Sequence, residues 1–190
     1  MKQKRQEWGT RTAGIDPARF VFIDESGAKT NMTRLRGRCK GGGRLHDTAP
    51  LGHWETTTMI AALRRDGSTA PMVIEGATDA AVFWAYVKHV LVPVLRKGEI
   101  VVLDNLSSHK GAAIRELIEA AGAQLWLLPP YSPDLNPIEK LWSKVKEFLR
   151  AAKARCTEEL DRAVADALDT VTAQDAINWL APCGYRYDKS

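Results

Sequence analysis

Alternating and continuous apolar runs in the first half of the chain predict β-strands. Residues 20–24 form a short β-prone run that ends in a carboxylate. Two further runs, residues 56–63 and 70–74, flank Asp66 and Gly67, a dipeptide typical of tight hairpin turns because glycine accepts a positive φ. The first half therefore predicts one strand followed by a β-hairpin.

The apolar pattern then changes to helical spacing. From Asp79 it predicts a helix that ends near Pro93, since proline interrupts helical hydrogen bonding. A buried strand at 100–103, a helix at about 110–121 and a strand at 124–128 follow with short links. This order predicts a βαβ unit, whose strands are parallel and whose crossover is right-handed.

Apolar stripes after the βαβ unit predict a helix that covers the sheet from residue 138 and another from residue 157. The order of elements predicts an α/β protein with the ribonuclease-H-like fold, a mixed five-stranded sheet with helices on both faces. We expect residues 1–19 to be an N-terminal linker or remnant, residues 20–150 to be the ribonuclease-H-like domain, and residues 151–190 to be a helical extension docked on it.

Composition narrows the class of protein. The chain has 190 residues, of which 45% are hydrophobic and 26% charged, as in ordinary globular domains. The net charge is +4, a mild basic bias that permits a nucleic-acid partner without requiring one. No apolar run approaches the roughly 20 residues that span a bilayer, so we expect a cytoplasmic protein with no membrane partner.

The three cysteines are widely separated and lack CxxC spacing, which favours free thiols. A zinc site of Cys39, His46 and His53 is an alternative whose spacing matches no standard pattern.

A basic, glycine-rich segment follows the first strand. Its charges need water or phosphate, and its glycines oppose ordering, so it is either a solvated surface loop or an arm that orders on the DNA backbone. The basic residues of this segment, residues 34–44, are Arg34, Arg36, Arg38, Lys40 and Arg44.

Three carboxylates stand at positions that rigid elements can bring together. Asp24 and Asp104 each follow an apolar strand, and Glu139 lies at the start of a helix. Two Mg²⁺ ions that cleave a phosphodiester need hard anionic oxygens from few protein residues. The carboxylates therefore predict a metal-dependent phosphodiester site.

Each carboxylate also has a purely structural interpretation. An aspartate after a strand often bonds its own turn, and Glu25 can replace Asp24 because only one of the two can face the site. Glu139 could close a capping box on Asn136. His109 could orient the site or contact phosphate, or could be a polar residue bonded to a loop. Asn105, beside Asp104, could donate a hydrogen bond that supports the site.

Three sequence blocks resemble one known family. FIDES at 22–26, LDNLSSHKG at 103–111 and LPPYSPDLNPIEKLWSKVKEFLR at 128–150 resemble the DDE catalytic domain of bacterial insertion-sequence transposases, the IS-six-thirty branch of the mariner superfamily. The resemblance identifies Asp24, Asp104 and Glu139 as the catalytic metal ligands, and the 34 residues between Asp104 and Glu139 suit the family's spacing.

The resemblance implies cleavage of DNA at transposon ends and transfer of the freed 3′-hydroxyl to target DNA, with two Mg²⁺ ions that Mn²⁺ can replace. It also implies a homodimer joined in part by the basic segment, and a nucleoid-associated protein. Family members carry helix-turn-helix units before this domain, and the 19 residues before the first strand cannot supply one. We therefore expect the second-frame product of a split transposase, with an upstream-frame polypeptide as partner. A second interpretation is a catalytically silent fragment that binds DNA or regulates a full-length enzyme. A third is another nuclease of the same fold.

Overall fold

In a computed structural model that describes residues 2–34, 36–50, 53–105 and 111–186, five strands form one mixed sheet. The spatial order is β3-β2-β1-β4-β5, with antiparallel pairing among the first three and parallel pairing of β4 with β1 and β5. The predicted mixed five-stranded sheet is confirmed. The strands are β1 (Phe20–Lys29), β2 (Thr56–Leu63), β3 (Met72–Glu75), β4 (Ile100–Leu103) and β5 (Gln124–Leu127).

Helices cover both faces of the sheet, as predicted. One face packs on α2 and α3, and the other on α4, α5, α6 and the single buried residue of α1, Trp8. Apolar residues at successive strand positions alternate between these two clusters, which is why the buried parts of β1, β2, β4 and β5 are continuous apolar runs. The helices are α1 (Lys2–Thr12), α2 (Ala80–Tyr86), α3 (Ala112–Ala120), α4 (Ile138–Ala152), α5 (Thr157–Asp169) and α6 (Ala173–Leu180).

Strand β1 is longer than predicted. Its parallel pairing with β4 stops at Phe22 and Val102, but its antiparallel pairing with β2 continues to Lys29 and Thr56. Asp24 therefore lies inside a strand and beyond the end of the neighbouring one. The prediction that the strand ends at Asp24 was wrong because the hydrogen bonds of β2 extend it through polar residues.

The N-terminal residues, for which the sequence predicted a linker or remnant and no helix, contain helix α1. Its sequence is almost wholly polar, so periodicity gave no signal. The indole Nε1 of Trp8 donates to the hydroxyl of Tyr185 at 3.1 Å, and its ring packs edge-on against Trp126. The tertiary contacts of Trp8 thus attach α1 to the protein, a role that an amphipathic face has in the other helices.

Helix α2 begins as predicted, with the Asp79 carboxylate accepting from the backbone N–H of Val82 at 2.8 Å. After Tyr86 the chain widens into a π turn at Val87–Leu91 and then tightens into a 3₁₀ turn at Val92–Val94. Pro93 accounts for the change, because its ring clashes with the carbonyl four residues earlier in a regular helix.

The three cysteines are free thiols, as predicted, with Cys183 buried and Cys39 exposed. Across the described ranges, no three His, Cys, Asp or Glu side chains gather closely enough to hold one metal ion. The alternative zinc site of Cys39, His46 and His53 is therefore not formed. None of the described helices combines the length and apolarity needed to cross a bilayer.

The hairpin turn gives a stability prediction at Gly67, which has φ +80° and lies against the start of α6. A Cβ there would lie 2.6 Å from the carbonyl carbon of Thr172, so Gly67→Ala should lower the free energy of unfolding by about 2 to 3 kcal/mol. Gly76 has φ +82° with no described atom within 4 Å of such a Cβ, and Gly76→Ala should cost about 1 kcal/mol from φ alone. Urea denaturation measures both losses, and equal losses would contradict the packing argument.

Candidate active site

The pleat of the sheet turns both candidate aspartates toward α4. Phe22 and Val102 are paired across the parallel strands β1 and β4, and both lie in the apolar cluster on the α4 face. Asp24 and Asp104 stand two positions further along their strands, so they continue the same face. Register alone therefore brings these two carboxylates side by side.

Glu139 reaches the same place from the first turn of α4. The backbone N–H of Asn136 donates to the carbonyl of Pro133 at 3.0 Å, and no side chain caps the helix. The side-chain Oδ1 of Asn136 is buried and has no partner in the described part of the protein. The alternative prediction of a capping box is wrong, and the Glu139 side chain is left to face the pocket.

A pocket of about 320 Å³ lies between the ends of β1 and β4 and the start of α4. We call it the carboxylate pocket. The residues that line it are Asp24, Asp104, Asn105, Leu128, Pro129, Pro130, Tyr131, Ser132, Pro133, Asn136 and Glu139. All three predicted carboxylates are thus brought to one cavity from three separate elements.

The electrostatics of the pocket centre on Asp24. Burial, together with the negative charges of Glu139 and Asp104, raises the pKa of Asp24 to about 7. Like charges held together in a partly dry cavity repel one another. A bound cation would offset this repulsion, so the charge of the pocket favours cation binding.

Trp142, one turn after Glu139, is a buried residue of α4 that interacts with Asp24. Its indole N–H favours the ionised form of Asp24 and partly offsets the rise in that pKa. The contact is weak, because Nε1 is buried and makes no hydrogen bond of good geometry with any residue that the structure describes. The apolar stripe of α4, which predicted only a helix covering the sheet, carried no sign of this contact.

The donor set fits hard divalent cations. The carboxylates surround the cavity instead of converging on one point, in keeping with the absence of a three-ligand cluster among the described residues. Mg²⁺ keeps several waters and needs only one or two carboxylates per ion. Three carboxylates around a pocket of this size can therefore serve two such ions.

The other candidate residues divide between the pocket and the remainder of the molecule. Asn105 lines the pocket, whereas Glu25 does not, because it faces the opposite side of β1 from Asp24. His109 lies outside the described residues. Ser132, which sequence analysis did not single out, and Asn136, which it considered only as a helix cap, are both buried polar residues of the pocket wall. Their place in a proline-rich segment was the available signal.

The basic segment is separate from the carboxylate pocket. Its five basic residues are exposed, and Arg34 and Arg36 line a groove of about 670 Å³ along α4. Ser143, Glu147 and Arg150 form the α4 side of this groove. Arg150 is a further basic residue that the sequence alone did not connect with this segment.

Comparison with known proteins gives a family match. The sequence profile described as DDE superfamily endonuclease matches residues 19–161, about three quarters of the 190 residues. The match contains Asp24, Asp104 and Glu139. No curated protein sequence matches the chain at a significant level.

Solved structures give the same fold. The chain is similar to the Mos1 transposase in its paired-end complex with the left transposon end, with a TM-score of 0.77, 18% identity, and coverage of 97% of this chain and 58% of that one. It is similar to a pre-cleavage Mos1 transpososome (0.77, 16% identity, 99% and 62% covered) and to the catalytic domain of the Mos1 mariner transposase (0.65, 15%, 98% and 93%). The predicted ribonuclease-H-like fold is confirmed, and the chain spans less than two thirds of the length of the first two relatives.

Proposed function

The chain belongs to the DDE superfamily endonucleases, and from this premise we propose that it is a transposase catalytic domain that cleaves DNA at transposon ends and joins the freed ends to target DNA. The observation that carries the proposal is the convergence of Asp24, Asp104 and Glu139 on one pocket. Within the superfamily, the sequence blocks quoted above favour the insertion-sequence branch.

In this proposal the three carboxylates hold two Mg²⁺ ions, or Mn²⁺ in their place. When bound, the ions activate the attacking hydroxyl and stabilise the leaving oxygen of the phosphodiester. Asp24 would bind such an ion as the carboxylate, so its raised pKa of about 7 would make binding release a proton below that pH. Asn105 lies at the pocket wall, where its amide can orient water or phosphate. The chain supplies positioning and charge.

DNA contact is assigned to the basic segment. Arg34 and Arg36, with Arg150 across the groove, form a positive surface along the outside of α4. Arg38, Lys40 and Arg44 extend it into solvent. Contacts of this kind bind the phosphate backbone without reading sequence, so specific recognition of transposon ends needs another source.

We assign that recognition to an upstream-frame polypeptide with helix-turn-helix domains, acting with a homodimer of this chain. The alternative is a catalytically silent fragment that binds DNA and regulates a longer enzyme. The coverage of 58% of the Mos1 transposase chain keeps this alternative in view.

The test is metal-dependent nicking of labelled duplex DNA by the purified chain. We expect nicking with Mn²⁺, loss of nicking with EDTA, and recovery when Mn²⁺ is restored. A chain carrying Asp24→Asn, Asp104→Asn and Glu139→Gln together, purified in the same way, controls for contaminating nucleases.

Nicking that persists in EDTA, or that the triple variant shares, would contradict the proposal. DNA binding without nicking would favour the regulatory alternative. RNA–DNA hybrids and branched DNA as parallel substrates separate a transposase from other nucleases with this fold.

A further inference from the structure

The segment that leads to the third carboxylate is held by its own short-range hydrogen bonds and by contacts from distant parts of the chain. Within it, the backbone N–H groups of Leu135 and Asn136 donate to the carbonyls of Ser132 and Pro133 at 3.1 and 3.0 Å. Residues 128–137, which we call the connector, join β5 to α4 and form one wall of the carboxylate pocket. The backbone N–H of Leu128 donates to Leu103 at 2.8 Å and fixes the start of the connector. Tyr131 is 89% exposed with φ +53°, whereas the next residue, Ser132, is buried, so the connector is in contact with the protein body on both sides of an exposed turn.

Both ends of the chain meet on this connector. In α1, the guanidinium of Arg5 donates to the Ser132 hydroxyl at 2.9 Å and to the Asp134 carboxylate at 3.0 Å. From the C-terminal segment, the hydroxyl of Tyr185 donates to the backbone carbonyl of Leu135 at 2.8 Å.

The two ends are also linked to each other. Trp8 of α1 donates its indole N–H to the same Tyr185 hydroxyl at 3.1 Å. The hydroxyl therefore accepts one hydrogen bond and donates another, which uses both of its roles. The ring of Tyr185 is buried against Phe20 and Phe22 of β1, at centroid distances of 5.1 and 4.7 Å. We call the hydrogen-bonded series Trp8, Tyr185 and Leu135 the relay. Through the Tyr185 ring it packs on β1, the strand that carries Asp24.

We propose that Trp8 and Tyr185, assisted by Arg5, are positioning residues that hold the connector at Leu135 and thereby fix Glu139 relative to Asp24 in the carboxylate pocket. The inference rests on the proposed function. Leu135 is four residues before Glu139, and the intervening carbonyl of Asn136 accepts from the Glu139 N–H at 3.2 Å. A shift at Leu135 is therefore passed directly to the first turn of α4.

The physical reason is the narrow tolerance of a metal site. Ligands must be held in place by supporting hydrogen bonds, and the loss of a group that bonds a ligand directly typically weakens metal affinity about 10- to 100-fold. Tyr185 acts on Glu139 through the backbone at Leu135, so we expect an effect at the lower end of that range. Trp8 and Tyr185 lie outside the family match at 19–161. In this proposal, segments outside residues 19–161 help to hold Glu139 in position.

Tyr185→Phe tests the proposal, because it removes the hydroxyl and keeps the ring. Tyr86→Phe is the matched control: the Tyr86 hydroxyl is also buried and also donates to a backbone carbonyl, that of Ala70 at 2.9 Å, but on the opposite face of the sheet. Calorimetric titration of the chain with Mn²⁺ should show a dissociation constant raised about tenfold for Tyr185→Phe and changed less than about twofold for Tyr86→Phe. Tyr185→Phe should lower Tm more than Tyr86→Phe, because it removes two hydrogen bonds and leaves the buried Trp8 indole N–H without its acceptor, whereas Tyr86→Phe removes one hydrogen bond.

Cleavage provides a second readout. Tyr185→Phe should lose about tenfold or more with Mg²⁺ and less with Mn²⁺, which tolerates looser geometry, whereas Tyr86→Phe should retain the parental ratio of the two activities. Trp8→Phe, which removes the other end of the relay, should raise the Mn²⁺ dissociation constant in the same direction.

Equal Mn²⁺ affinity in Tyr185→Phe and Tyr86→Phe would overturn the positioning role and leave the proposed function standing, provided that Glu139→Gln weakens Mn²⁺ binding. Unchanged Mn²⁺ affinity in Glu139→Gln would instead overturn the proposed metal site itself, and the positioning role with it.

Discussion

Replacing Asp104 with asparagine should lower the rate of metal-dependent DNA cleavage by about 10³-fold or more, equivalent to about 4 kcal/mol of transition-state stabilisation. The substitution removes a charged oxygen from the carboxylate pocket but keeps the shape of the side chain. The fold should remain intact, because the buried residues of β4 are Ile100 to Leu103 and Asp104 follows them. Single-turnover cleavage with Mn²⁺ measures the loss, and circular dichroism checks the fold.

Two matched controls separate this loss from a general effect of charge. Asp166→Asn removes an exposed carboxylate from α5 and should leave cleavage within about twofold of the parental rate. On α4, Glu139→Gln should resemble Asp104→Asn, while Glu147→Gln, two turns away and in the groove of the basic segment, should retain metal-dependent chemistry. An Asp104→Asn chain that cleaves at the parental rate would exclude Asp104 from the metal site.

The second large effect concerns stability and pH. The pKa of Asp24 is raised from 3.8 to about 7 in the metal-free fold, chiefly by burial and then by the charges of Glu139 and Asp104. The unfolded chain therefore releases this proton at lower pH than the folded chain. The contribution of Asp24 to stability is full below about pH 4, falls as the pH rises, and is lost above about pH 7.

Asp24→Asn should abolish this dependence. At pH 8 in EDTA the variant should be more stable than the parent by about 2 to 4 kcal/mol, the lower figure allowing for the partial exposure of Asp24 to the pocket. At pH 5 the difference should be much smaller. Urea denaturation between pH 5 and 8 gives both values. If the free energies of unfolding of parent and variant changed in parallel over this pH range, the raised pKa of Asp24 would be contradicted.

Added Mn²⁺ should reverse the order of stability at pH 8. Only the parent retains the full set of carboxylates, so only the parent gains the full free energy of metal binding. Asp166→Asn should follow the parent in both conditions, because its exposed carboxylate lies outside the pocket.

Much of the sheet and two thirds of the carboxylate site were predictable from local sequence. The strands, the hairpin and the βαβ unit follow from apolar runs and turn residues, whose physical effects act over a few positions. Asp24 and Asp104 could be placed side by side because alternation along a strand fixes which face each residue occupies. The same rule separates Glu25 from Asp24.

The position of Glu139 required more than local sequence. A capping box and a metal ligand have the same spacing after Asn136, and only the hydrogen bond from Asn136 to Pro133 decides between them. Helix α1 was missed for a related reason. Its sequence lacks an apolar face, and its place depends on Trp8 meeting Trp126 and Tyr185 from distant parts of the chain.

The sequence by itself thus determined the order of the strands and of the helices from α2 onward, the face of each strand residue, and the choice of three carboxylates as site candidates. Tertiary structure decided the length of β1, the existence of α1, the burial of the Asn136 Oδ1 without a partner among the described residues, and the contacts of the connector with Arg5 and Tyr185. The physical reason is the distance along the sequence over which each effect acts. Backbone preference and side-chain alternation are set by neighbours along the chain, whereas burial, pKa and hydrogen-bond partners depend on residues as distant as Trp8 and Tyr185, which become neighbours only when the chain has folded.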